Sequence, residues 1–319
     1  MLVSERNLAA ERLFCYHLAM ATAHPSDPPR QPELFDRGPS MPTEVLQKAL
    51  HHPIWTENKA KLIERYLYYF VMITKHGTYI DAFAGPQSPG KDEMWAAKLV
   101  LESEPRWFRD FFLYEKDGGK VQALEALRQA QPVKPKRTVS IERGDSNVLL
   151  RQMLGQRKIR DKEATFCLLD QRTFECEWQT VVEVARYKGP PHHKIEVFYF
   201  LANSWLCRAL AAQKDTSDVE RWWGRADWER LREMSEAERL SAFVQRFKTD
   251  LGYASVKAYP IFERQDGGHR MYYMIHATDH PAAPSLMHRA YERAVRPKES
   301  MEQLTLFLET VEKDGCSAT

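Results

Sequence analysis

Four acidic residues, Asp81, Glu115, Asp145 and Asp170, each follow a short apolar run. The runs are Thr78–Ile80, Phe111–Tyr114, Thr138–Ile141 and Ala164–Leu169, and their β-branched and aromatic residues read as strands. One acid at a strand end is ordinarily a solvated loop residue. Four on successive ends form a pattern, because parallel strands open their C-terminal ends on one edge, where ligands bind. There Glu115 is placed to take two ribose hydroxyls, and Asp145 to accept from an adenine amino group. The chemistry indicated is an adenosyl-ligand pocket. Four carboxylates could also hold Mg²⁺ in a nuclease, although no recognised nuclease spacing is present.

The loop between the first strand and the next helix carries the closest approach. Gly77 to Gly90 reads GTYIDAFAGPQSPG. Gly85 lets backbone come near a ligand because no Cβ intervenes. The helix expected over Asp92–Leu101 would offer free N–H groups. A lone glycine is weaker than a full G-x-G-x-x-G, and an ordinary strand-to-helix turn remains the rival reading.

The elements that position these residues alternate. A helix is expected over Thr56–Thr74, with Trp55, Leu62, Tyr66, Tyr69 and Ile73 on one face. Lys59 and Lys61 sit in its early turns, able to meet a phosphate but more simply a solvated face. Later helices are expected over Val121–Ala130, from Val148, capped by Asp145 or Ser146, and over Glu177–Tyr187. A fifth strand spans Lys194–Leu201. Strand alternating with helix gives right-handed crossovers and a parallel sheet.

Residues 211–250 break the rhythm with a helical insertion. It interleaves Trp222, Trp223 and Trp228 with Arg221, Arg225 and Arg230. Such residues can stack bases and hold phosphates, but tryptophans at helical spacing more often form core. Strands over Tyr253–Arg264 and His269–Ala277, joined by Gln265-Asp266-Gly267-Gly268, form a hairpin. Helices over Pro284–Val295 and Ser300–Glu312 close the chain.

This order, with the first-loop D-x-F-x-G, resembles the class I S-adenosylmethionine-dependent methyltransferases. Within them the chain resembles the three-Cys-motif partner family through WTENKAKLIERYL (55–67), YIDAFAGP (79–86), LLDQRTFECEW (168–178) and MYYMIHATDHPAAPSLMHRAY (271–291). The resemblance implies an α/β, Rossmann-like sheet, mostly parallel with a C-terminal antiparallel hairpin and a helical insertion. It implies S-adenosylmethionine held by Asp81, Phe83, Gly85, Glu115 and Asp145. It implies a radical-type partner protein, which carries the three cysteines of the name. Asp170 would accept from a substrate amine and Phe174 would stack a flipped base. Two departures stand out. Gln87 replaces the second glycine of FAGPG, and Gln171-Arg172-Thr173 replaces the prolines that usually follow the fourth-strand Asp.

Composition sets the outer limits. The 319 residues allow one large domain with tails, and a formal net charge of +2 gives no global field for nucleic acid. Local cations, Lys59, Lys61, Arg172, Arg221 and Arg225, would have to supply any such contact. Five scattered cysteines without C-x-x-C spacing argue against zinc and fit a reducing cytoplasm. No apolar run is long enough for a membrane span.

Residues 1–40 read as a flexible tail, 41–298 as the α/β domain, and 299–319 as a C-terminal helix and tail. Gln303, Leu306 and Phe307 in QLTLF resemble the pentapeptide by which bacterial proteins dock on the replication sliding clamp, and Gln31, Leu34 and Phe35 keep the same offsets. The expected function is a methyltransferase or methyltransferase-like protein acting on nucleic acid, DNA before RNA, in repair or defence. The alternative is a degenerate methyltransferase fold that binds DNA or a partner.

Overall fold

The computed structural model describes residues 59–88, 90–202, 206, 209–211, 216–264 and 267–294. Its framework is a seven-stranded sheet. The strands are β1 (Gly77–Asp81), β2 (Phe108–Glu115), β3 (Thr138–Arg143), β4 (Thr165–Leu169), β5 (Glu196–Leu201), β6 (Ser255–Arg264) and β7 (Gly267–Thr278). The helices are α1 (Lys59–Thr74), α2 (Ala96–Glu102), α3 (Gly118–Gln129), α4 (Ser146–Gly155), α5 (Trp178–Arg186), α6 (Ser217–Trp223), α7 (Arg230–Glu233), α8 (Glu236–Thr249) and α9 (Ala283–Ala294).

The strand order is β3-β2-β1-β4-β5-β7-β6. Strands β1 to β5 are parallel, and β7 runs antiparallel to both β5 and β6. This is the Rossmann-like class I methyltransferase arrangement expected from the sequence. The chain builds outward from β1 to β3, then returns to lay β4 on the other side of β1. A topological switch point therefore lies between β1 and β4, where the crossovers leave in opposite directions and a crevice opens at the strand ends.

Burial explains the central strands. Every residue of β1, β4 and β5 is buried, as unbroken apolar runs covered on both faces require. The polar edge strand β3 is only half-buried. Alternate side chains feed two cores. Ile80, Cys167 and Tyr199 face Val181 of α5 and the insertion. Tyr79, Phe166 and Phe198 face Leu62 and Tyr66 of α1 and Met287 of α9.

The insertion is part of the first core. Trp222, Trp223 and Trp228 are all buried, so the core reading holds over stacking on bases. Arg246 lies between the rings of Trp178 and Trp223, 3.6 and 4.3 Å from their centroids, and donates to the Trp223 carbonyl at 2.6 Å. Its planar cation bonds an otherwise free carbonyl while covering both indoles.

Some boundaries differ from expectation. The helix expected over Asp92–Leu101 is broken at Trp95 into a 3-10 turn (Asp92–Met94) and α2. Trp95 is buried there and its Nε1 donates to the Ala84 carbonyl at 2.6 Å, which anchors the first loop. Gly118 and Gly119 open α3 rather than turning the chain, because Asp117 accepts from the Lys120 N–H at 2.9 Å and caps the helix. Gly267 and Gly268 begin β7, with Arg264 paired to Gly267. The expected tails, 1–40 and 299–319, lie outside the described residues.

Candidate functional site

Asp81 ends β1 at the switch point and is only 2% exposed. Its oxygens accept from the Tyr79 hydroxyl at 2.9 Å and the Phe83 N–H at 3.0 Å. Burial, helped by the charges of Asp170 and Glu115 and opposed by the Phe83 and Tyr79 hydrogen bonds, pushes its carboxyl up to about 7. Those couplings bring Asp81, Asp170 and Glu115 into one electrostatic neighbourhood. Phe83 sits half-buried against the insertion-side core.

Glu115 ends β2 with both oxygens engaged by backbone. Oε2 accepts from the Gly85 N–H at 3.1 Å, and Oε1 from Lys116 and Asp117 at 2.8 and 2.9 Å. A Cβ at Gly85 would strike this carboxylate and lie 2.7 Å from Lys120 Cβ. The glycine therefore permits a close approach, as expected, but its neighbour here is Glu115. A ribose could bond Glu115 only by replacing some of these backbone donors.

Asp145 caps α4 by accepting from the Asn147 N–H at 2.8 Å. The Gly144 N–H before it donates to the Glu115 carbonyl at 3.0 Å, which places Asp145 beside the end of β2. The four acids thus follow the C-terminal ends of the adjacent strands β3, β2, β1 and β4, and Asp145 is also a helix cap.

Asp170, just past β4, is nearly buried. Lys59 Nζ donates to both its oxygens at 2.7 Å, and Gln87 Nε2 donates to Oδ2 at 2.7 Å. The Lys59 ammonium also faces the rings of Phe200 at 4.7 Å and Tyr272 at 5.4 Å. Lys59 was expected on a solvated face or at a phosphate, and the solvated-face expectation fails. It is 3% exposed and paired with Asp170. Gln87 is exposed and spans from the first loop to the fourth-strand acid.

Phe174 meets Trp222 edge-on, with ring centroids 5.0 Å apart. Lys61 and Arg172 are exposed. Arg221 pairs with Asp218 and, at 3.3 Å, with Glu177, and Arg225 pairs with Asp250 at 2.5 Å. Gln31, Leu34, Phe35, Gln303, Leu306 and Phe307 lie outside the described residues.

Two buried amides escaped the sequence reading. Asn147 Oδ1 accepts from the Glu177 N–H and the Thr180 hydroxyl, both at 2.9 Å, and its Nδ2 donates to the Glu175 carbonyl at 2.7 Å. Gln171 Oε1 accepts from the Cys176 N–H at 3.0 Å, and Nε2 donates to the Phe200 carbonyl at 3.2 Å. Together they tie the loop after β4 to α4, β5 and the start of α5. Lys59 did leave a signal: its spacing puts it on the same helix face as Trp55, Leu62 and Tyr66.

No protein-family model matches the chain, and no curated protein does. Two solved structures are similar in part. Cofactor-bound Rv0187 from MTB shares 11% identity over 74% of this chain and 88% of its own, with a TM-score of 0.39. The CurJ carbon methyltransferase shares 12% identity over 64% of this chain and 49% of its own, with a TM-score of 0.36. At these scores the fold assignment rests on the strand order itself.

Proposed function

We propose that the chain binds an adenosyl ligand of the S-adenosylmethionine type at the ends of β1, β2 and β4 and transfers its methyl group to a nitrogen of nucleic acid, DNA before RNA. The observation that carries this reading is the cluster of Asp81, Glu115 and Asp170 at the switch point of this strand order. Glu115 would exchange backbone donors for ribose hydroxyls, while the Gly85 backbone lines the approach. The sulfonium charge would sit among three carboxylates. Asp170, released from Gln87, would accept from the acceptor amine and hold its lone pair in line with the methyl group. When bound, the ligand supplies the electrophilic methyl; the protein supplies position and field. Exposed Arg172, beside Asp170 in sequence, supports a phosphate-bearing acceptor.

A second reading is favoured by the Lys59–Asp170–Gln87 contacts: a methyltransferase fold that binds nucleic acid or a partner without transfer. The family resemblance, the radical-type partner and docking on a sliding clamp through Gln303, Leu306 and Phe307 or through Gln31, Leu34 and Phe35 belong to the same proposal, as does a cytoplasmic role in repair or defence. Among the described residues no helix is long and apolar enough to cross a membrane.

Isothermal titration with S-adenosylmethionine tests the lead. Saturable heat that disappears in Glu115→Ala supports it, and silence in both wild type and Gln87→Gly removes it. Methyl incorporation into DNA, lost in Asp170→Asn while titration heat persists, separates transfer from binding alone.

A further inference from the structure

The opposite edge of the sheet holds a second concavity. It lies where β4 and β5 begin and β7 ends, and encloses about 380 Å³. That volume suits a small organic ligand. Tyr66, Phe70 and Ile73 of α1, with Ala283 and Leu286 of α9, form apolar wall. The polar groups decide what else would fit.

The acids already have partners. Glu163, almost wholly buried, faces His76 Nδ1 at 2.7 Å and Arg160 at 2.7 Å. Glu196 is equally buried and takes the Tyr66 hydroxyl, His276 Nε2 at 2.8 Å and the Thr278 hydroxyl at 3.1 Å. Asp161 is paired with Arg157. Lys194 of the lining and the neighbouring Lys188 are spent as well. Lys194 bonds Asp279 at 3.0 Å and the Gly252 carbonyl at 2.8 Å, and Lys188 bonds the Glu163 carbonyl and the Thr165 hydroxyl.

What remains is of one kind. Lys162 has no acidic partner among the described residues, and the rings of His192 and His193 have no hydrogen-bonding one. His280 Nδ1 accepts from the Ala282 N–H at 3.2 Å, which leaves its proton on Nε2 as a donor. Its ring stands 5.3 Å from that of His193. An ammonium and three imidazoles thus line a cavity with one apolar wall, and its carboxylates are all engaged.

We infer that this cavity is a binding site for a small anion with an apolar body, its phosphate or carboxylate head held by Lys162, His192, His193 and His280 and its body against α1 and α9. The site is independent of the adenosyl-ligand reading, because it occupies the other edge of the sheet. Burial and the nearby His193 ring lower the His280 pKa, and a bound anion would favour its protonated form, so binding strengthens as pH falls.

The test titrates the full chain with phenyl phosphate, benzoate, inorganic phosphate and neutral benzyl alcohol, following the histidine ring C–H signals by NMR at about pH 6 and about pH 7.5. Phenyl phosphate should shift the His193 and His280 signals saturably, about tenfold tighter at the lower pH, with benzyl alcohol inert. Benzoate equal to phenyl phosphate marks a carboxylate site, and inorganic phosphate equal to phenyl phosphate shows that the wall contributes nothing and overturns the apolar half of the inference. Lys162→Gln and His192→Gln change exposed side chains and keep the fold; each should weaken phenyl phosphate several-fold. No saturable shift with any anion, or binding unchanged in the Lys162→Gln/His192→Gln double variant, overturns the site.

Discussion

Asp81 makes the sharpest residue-scale prediction. Its carboxyl ionises near 7 in the fold, because it is buried, and near 4 in the unfolded chain. The folded state therefore holds this proton longer. Its stabilising effect is full below the unfolded value and is lost as pH rises towards 7, a span worth on the order of 4 kcal/mol. Chemical denaturation at pH steps across this window should show wild type losing stability relative to Asp81→Asn as pH increases; parallel curves would refute the assignment. The same proton reports on the ligand. A sulfonium beside Asp81 favours its ionised form, so S-adenosylmethionine should release protons on binding near pH 6.5 and the neutral thioether product should release fewer. Titration in buffers of different ionisation enthalpy measures the difference. Lys59 carries a stability prediction as well. Removing one partner of a buried pair leaves the other charge unpaired, so Lys59→Met should cost about 3–5 kcal/mol, and Lys59→Met with Asp170→Leu should recover much of it. Full additivity of the two substitutions in urea unfolding would show that the pair is not coupled.

At the scale of elements, the loop after β4 is where sequence reading stopped short. Strand ends and acids were legible because a period-two or fully apolar run ends visibly at a charge, as at Ile80-Asp81 and Leu169-Asp170. The cap at Asp145 was legible for the same reason. Asn147 and Gln171 were not, because an amide in a polar loop has the same local signature whether it bonds water or buried backbone. Lys59 was misread because charge outweighed helical register, although the register was correct. These errors share a cause: the partner lies far along the chain, as with Lys59 and Asp170, and no local pattern announces it. Asn147 supplies the test. Asn147→Ala strands the Glu177 N–H and the Glu175 carbonyl, each costing about 1–3 kcal/mol if no water reaches it. Hydrogen exchange should rise in 171–180 and leave β1 and β2 unchanged.

Across the whole molecule, the parallel strands and the terminal hairpin meet at one buried carboxylate. Glu196 opens β5 and bonds Tyr66 of α1 together with His276 and Thr278 of β7. A helix before β1 and a strand from the end of the domain are thereby joined through the middle of the sheet. The terminal hairpin required one strand to run against the rest, but it did not say that a charge would fasten it, because Glu196 lies near the start of its run like a solvated boundary acid. Burying it is tolerable only while its donors remain. Glu196→Gln keeps two acceptor positions on one oxygen and should cost modestly. Glu196→Leu strands a hydroxyl, an imidazole and a phenol at once, and should cost at least about 3 kcal/mol. If the carboxylate couples the two halves, the loss appears as faster exchange in α1 and β7 together, rather than as fraying of β6 and β7 alone. Exchange confined to the hairpin would show that α1 is held by apolar packing and that the network merely decorates the junction.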